Sequence, residues 1–166
     1  MSKTIVVCGY GPGISDAIAR KYGAEGYQVA LVARNADKLA AAVAALASKG
    51  IQAAAFPTDL GDAAAVTAMI GAVRAKFGPI TAIHYNAYSG GAGDLLTATA
   101  EGLRRSIDVS VTGLVAAVQA AHADLKAAQG AVLVTGGGFA FYDPAIDAMA
   151  TQFMCADLAI GKAAQH

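Results

Sequence analysis

Ile5-Val6-Val7-Cys8-Gly9-Tyr10-Gly11-Pro12-Gly13-Ile14-Ser15 is a short apolar run that breaks into three glycines at alternate positions and then opens into a helical pattern. A strand, a glycine turn and a helix in that order aim backbone N–H groups and a helix N-terminus at phosphate. Gly9 permits a sharp exit from the strand. Gly11 and Gly13 present no Cβ, so a pyrophosphate can approach the backbone and the helix can pack close to the sheet. Glycine turns also occur where nothing binds, and the spacing alone is a weak signal. The remainder of the chain gives it weight.

The alternation continues toward the C-terminus. Ile14, Ala17, Ile18 and Tyr22 predict the inner face of a first helix, with Gly26 near its end. The run from Tyr27 to Ala33 is nearly all apolar, as in a strand buried on both faces. Arg34-Asn35-Ala36-Asp37-Lys38 starts a second helix carrying Leu39, Val43 and Leu46, and residues 51–57 predict a third strand closing on Thr58-Asp59-Leu60. Val66, Met69, Ile70, Val73 and Phe77 mark one face of a third helix. A fourth strand over 80–85 ends at Asn86-Ala87. A long helix over 99–128 comes next, with Leu103, Ile107, Leu114 and Val118 inward, and a fifth strand over 131–135 ends in Gly136-Gly137-Gly138. Strict alternation implies right-handed βαβ units, hence an α/β fold: a three-layer, doubly wound parallel sheet of Rossmann-like type, with residues 1–166 as a single dinucleotide-binding domain. Ligands of such sheets sit beyond the carboxyl ends of the strands, where Gly9, Arg34, Asp59, Asn86 and Gly136 all fall.

Composition narrows the classes. Twelve basic residues balance twelve acidic ones, which argues against nucleic acid or an anionic membrane as partner. Hydrophobic residues make up 56% of the chain, but much of that is alanine. The longest clearly apolar run, 39–47, is far shorter than the roughly 18 residues a spanning helix needs. Met1-Ser2-Lys3-Thr4 leads directly into a strand and leaves no room for a signal peptide, so a cytoplasmic protein is expected. Cys8 and Cys155 form no disulfide framework, and with His84, His122 and His166 scattered no metal site is predicted.

These features resemble the short-chain dehydrogenase/reductase family over nearly the whole chain. Gly9-Tyr10-Gly11-Pro12-Gly13-Ile14-Ser15 is similar to the family's Gly-x-x-x-Gly-Ile-Gly turn, with Ser15 at its last glycine. Asp59-Leu60 resembles the pair set against the adenine, and His84-Tyr85-Asn86-Ala87-Tyr88 resembles Val-Asn-Asn-Ala-Gly. Ile160-Gly161-Lys162-Ala163-Ala164 resembles the segment holding the active-site lysine. The resemblance implies a cofactor site of Gly9, Gly11, Gly13, Ile14, Arg34, Asp59, Leu60, Asn86, Ala87 and Lys162. It also implies an oxidoreductase acting on a small carbonyl or alcohol. Arginine at the end of the second strand suits a 2′-phosphate, so NADP(H) is expected over NAD(H).

The catalytic positions depart from the pattern. Lys162 is kept, but the proton-donating tyrosine four residues earlier is Leu158. The substrate-holding serine falls at Gly137, and the asparagine of the long helix aligns with Ser110. Members reading Thr-Gly-Gly-Gly without the tyrosine form a divergent branch of the family. Tyr142 and Thr135 are the candidate replacements beside Lys162. The family's later strands are not present in the chain, which carries five of the usual seven; the domain is expected to be incomplete at its C-terminus, with Lys162 on a stub of helix and the fifth strand an open edge. The resemblance implies that the long helix forms half of a dimer interface, and its alanine face, Ala116-Ala117 and Ala120-Ala121, would allow close helix approach, so a homodimer or homotetramer is expected. Two other readings stay open: an inactive dinucleotide-binding sensor or partner subunit, and a methyltransferase. The second wants acids where Val7 and Arg34 stand.

Overall fold

β1 (Lys3–Cys8) is the centre of the molecule: Ile5, Val6, Val7 and Cys8 have no exposed surface. A computed structural model describes residues 3–90, 93–94, 96–141 and 143–165. In it β2 (Tyr27–Ala33), β3 (Ala53–Pro57), β4 (Ala82–Tyr85) and β5 (Ala131–Val134) join β1 in one parallel sheet of order β3-β2-β1-β4-β5. The chain turns back between β3 and β4, which places the switch in strand order beside β1. Register pairs Cys8 with Val32 on one side and with Tyr85 on the other.

Alternate side chains feed two cores. Val6, Cys8, Ala30, Val32, Ile83 and Tyr85 pack under α3 (Ala63–Phe77) and α5 (Gly113–Ala128). Ile5, Val7, Val29 and Leu31 pack under α1 (Ile14–Ala24) and α2 (Ala36–Ala47). Each fully buried Ile, Leu or Val contributes about 1.5–3 kcal/mol. All five apolar residues expected to face inward from α3 are buried, and Asp62 caps that helix by accepting from Ala64 and Ala65 N–H.

Four expectations are corrected. In α1, Ile14 is 55% exposed and Ala17 is exposed; Ser15 and Ala19 are the buried positions, because the first turn overhangs the strand ends. The long helix is two, α4 (Ala100–Ile107) and α5, joined by a π-helical turn at Asp108–Thr112. Wider turns shift the inward face, so Ser106, Val109, Ser110, Gly113, Ala117, Ala121 and Leu125 are buried while Leu103, Ile107, Leu114 and Val118 are only half-buried. The alanine face packs largely within the chain: Ala117 and Ala121 have no exposed surface in the α3 core, and Ala116 and Ala120 are half-buried against it.

The fourth correction concerns the C-terminal segment. Residues past β5 form a short 3₁₀ turn (Gly138–Ala140), α6 (Pro144–Gln152) and α7 (Ala156–Gln165), a full ten-residue helix carrying Lys162. Gly161 allows the close approach: a Cβ there would lie 3.1 Å from Ser110 Oγ and 3.2 Å from Ser106 Oγ. β5 meets expectation as an edge, with all its residues exposed and β4 as its only neighbour among the described residues. No described helix is long and apolar enough to cross a membrane.

Candidate functional site

The carboxyl ends of the strands open into a cleft of about 950 Å³. It gathers Gly9, Gly11, Gly13, Ile14, Arg34, Asp59, Leu60, Asn86, Ala87, Thr135 and Lys162, every described candidate for cofactor binding or catalysis. Tyr142 lies outside the described residues.

The glycine turn forms the near wall. Gly9 has φ +79°, and a Cβ there would sit 2.6 Å from Ala87 N, so glycine lets the turn touch the end of β4. Gly11 and Gly13 have nothing within 4 Å of a built Cβ, which leaves their cleft side open to a ligand. Asn35, Asp62, Thr99 and Asp143 cap α2, α3, α4 and α6 by side-chain hydrogen bonds, whereas no side chain caps α1 at the turn. Its first N–H groups and positive dipole end face the cleft. Ser15, where the family pattern has glycine, donates to Gly9 O at 2.9 Å and accepts from Asn86 Nδ2 at 2.9 Å. Asn86 thus braces the turn.

Arg34 is exposed and makes no hydrogen bond or ion pair among the described residues. Lys38, which the sequence marks only as part of a helix start, lines a side pocket with Arg34, Asn35 and Tyr10. Asp59 is more engaged than expected. Its Oδ1 accepts from Arg105 Nη2 at 2.6 Å and from Gly61 N–H at 2.9 Å, and the guanidinium holds the carboxyl below its ordinary range. Burial pushes the Cys8 thiol up to about 12, so it remains a protonated core group.

The far wall departs from the expected pattern. Leu158 and Gly137 line the cleft with no group able to move a proton. Lys162 is 8% exposed; its Nζ donates to Thr135 O at 2.8 Å and to Gln165 Oε1 at 2.9 Å. Gln165 Nε2 donates to Ser110 O at 2.6 Å, while Ser110 Oγ is buried with no hydrogen-bond partner among the described residues. Burial lowers the Lys162 pKa. His84 Nε2 lies 3.2 Å from Thr135 Oγ1. Ser15 and His84 fall within motifs read from the sequence, but their bonds to Asn86 and Thr135 are not legible there, because those partners stand far away along the chain; Gln165, one turn beyond Lys162, is missed, with only its i+3 spacing as a signal.

With a dinucleotide, the open turn and uncapped α1 fit a pyrophosphate, and the unpaired Arg34 fits an added phosphate. The known proteins agree in kind. Residues 3–145 match the short chain dehydrogenase family. The meso-2,3-butanediol dehydrogenase of Serratia marcescens is 32% identical over 134 residues, 81% of this chain and 53% of that protein. An alcohol dehydrogenase from the archaeon Thermococcus sibiricus, complexed with 5-hydroxy-NADP, superposes with a TM-score of 0.86 at 25% identity, over 99% of this chain and 67% of the other. The L-sorbose reductase of Gluconobacter frateurii, complexed with NADPH and L-sorbose, gives 0.86 at 25% identity, over 99% and 60%. The chain therefore spans about half the length of the curated relative and about two thirds of the solved structures. With the motif order, the sheet and the cleft in agreement, the chain belongs to the short chain dehydrogenase family.

Proposed function

We propose that the cleft binds NADP(H), in preference to NAD(H), and that the protein interconverts a small carbonyl and its alcohol. The observation that carries this is the pairing of an open glycine turn at the start of α1 with an exposed Arg34 at the end of β2, which makes no hydrogen bond or ion pair among the described residues and feels the nearby Asp59 charge. Gly9, Gly11, Gly13 and Ile14 would hold the pyrophosphate, and Arg34 with Lys38 the 2′-phosphate. Leu60 and the free Oδ2 of Asp59 would face the adenine; Asn86, Ala87 and Lys162 would border the nicotinamide ribose. An ammonium has three donors and Lys162 uses two inward, leaving one for a ribose hydroxyl. The bound cofactor supplies hydride chemistry. Thr135 is the hydroxyl proposed to meet the substrate oxygen, with Tyr142 a second candidate.

Calorimetric titration tests the cofactor half: NADPH binds more tightly than NADH, and Arg34→Ala weakens NADPH about 10–100-fold, the value of a charge-assisted hydrogen bond. Equal binding of both nucleotides, or an indifferent Arg34→Ala, removes the preference. Turnover is assayed with NADPH and 3-hydroxy-2-butanone, L-sorbose and simple aldehydes. The relatives' names suggest the first two. Leu158 and Gly137 favour a second reading, a cofactor-binding subunit without chemistry; binding with no turnover supports it. A dimer or tetramer, and a cytoplasmic setting, belong to the same proposal. Val115 on the exposed side of α5 offers contact surface, and light scattering measures the assembly.

A further inference from the structure

Thr135 is held at both ends. Its carbonyl accepts from Lys162 Nζ at 2.8 Å, and its hydroxyl oxygen lies 3.2 Å from Nε2 of His84 on β4. The histidine is 3% exposed, and its Nδ1 has no hydrogen-bond partner among the described residues. Thr135 itself lines the cleft next to Gly136 and Gly137, with Leu158 and Lys162 on the same wall.

The orphan Nδ1 sets the direction of the His84–Thr135 bond. A neutral imidazole carries one N–H. On Nδ1 it would be a buried donor with no acceptor; on Nε2 it leaves only an unpaired acceptor, which folded proteins tolerate more readily. Burial lowers the His84 pKa and keeps the ring neutral, so the location of that single proton matters. When Nε2–H donates to Thr135 Oγ1, the threonine proton cannot point back at the ring and is left for the cleft.

We propose that His84 is a positioning residue whose Nε2–H fixes the Thr135 hydroxyl as a donor to the oxygen of a carbonyl substrate, the contact for which Gly137 has no side chain. This rests on the oxidoreductase reading. It accounts together for a buried histidine on β4 behind Thr135, a threonine at the end of β5 and a glycine where a hydroxyl would be needed.

Nitrogen-15 spectra of the histidine rings in the full chain read the tautomer directly. The expected result is an Nε2–H ring for His84, with an Nε2 resonance that moves in Thr135→Val. An Nδ1–H ring, or one indifferent to Thr135→Val, overturns the proposal. In the NADPH-linked carbonyl assay, Thr135→Val lowers kcat about 100-fold, as for removal of a preorganised donor. His84→Ala lowers kcat about tenfold, the equivalent of one neutral hydrogen bond, with KM for NADPH unchanged. His84→Gln, whose amide N–H reaches the same oxygen, recovers most of the loss. Thr135→Val is close in shape and keeps the carbonyl that Lys162 uses, so it serves where His84→Ala fails to fold. Unchanged kcat in Thr135→Val, or NADPH binding with no turnover of any carbonyl tried, overturns the proposal. A chain that binds no NADPH ends the oxidoreductase reading and the substrate contact with it. The ring spectra would still report whether His84 holds Thr135, which keeps the two failures distinguishable.

Discussion

The two walls of the cleft are built to different standards. The wall of β1, the glycine turn and β2 rises from fully buried strands, is braced by Ser15 and Asn86, and retains the family's turn with little change. The wall of β5 and α7 rises from an exposed strand, and its family positions for a hydroxyl and a phenol hold Gly137 and Leu158. The difference separates binding from chemistry. The first wall is what a dinucleotide needs. On the second, Thr135 is gripped from opposite ends by His84 and Lys162.

Glycine substitutions test the contrast most severely. Gly9→Ala forces a Cβ against Ala87 backbone at 2.6 Å and keeps a left-handed φ, so we expect a loss of at least about 3 kcal/mol and a sharply lower Tm. Gly137→Ser meets nothing within 4 Å and should change stability by less than about 0.5 kcal/mol while adding a hydroxyl to the cleft. If both proved equally costly, the second wall would be as tightly built as the first. A strand pair makes the same comparison in the sheet. Ile5→Ala should cost about 2–5 kcal/mol in chemical denaturation, and Leu133→Thr on β5 less than about 0.5 kcal/mol. A large loss at Leu133 would mean that β5 is covered in solution.

The smallest expected effect is a pH dependence. His84 has its folded pKa lowered by burial below the ordinary 6.5, so the unfolded chain takes up a proton first as pH falls. Stability is full above 6.5, declines as pH drops below it, and goes on declining down to the lowered folded value. His84→Gln should flatten that part of the Tm profile. An unchanged slope would place the dependence elsewhere.

Legibility in the sequence tracks the range of the forces involved. The glycine turn, the strands expected over 27–33 and 131–135, and the face of α3 are local patterns, and each reappears in place to within one residue. The inner face of α4 and α5 escapes helical periodicity because the π-helical turn at Asp108–Thr112 breaks the spacing on which such periodicity rests. Ile14 departs from its expected place because helical spacing does not say that a first turn overhangs a cleft. At the site, the cleft edge is legible as a set of strand ends. The His84–Thr135 and Gln165–Ser110 bonds join residues that only the closed sheet brings together, so spacing cannot reveal them.

The central claim is that the first wall supplies most of the cofactor affinity, Lys162 on the second adding a ribose contact, and a fragment touching only the first wall tests it most directly. Adenosine 2′,5′-bisphosphate carries the 2′-phosphate for Arg34 but no nicotinamide. We predict by calorimetry that it competes with NADPH, binds within about tenfold of it, and greatly exceeds adenosine 5′-monophosphate, since each charge-assisted contact is worth about 1.5–3 kcal/mol. Equal binding of the two nucleotides, or none by either where NADPH binds, would contradict the account and move the affinity to the second wall.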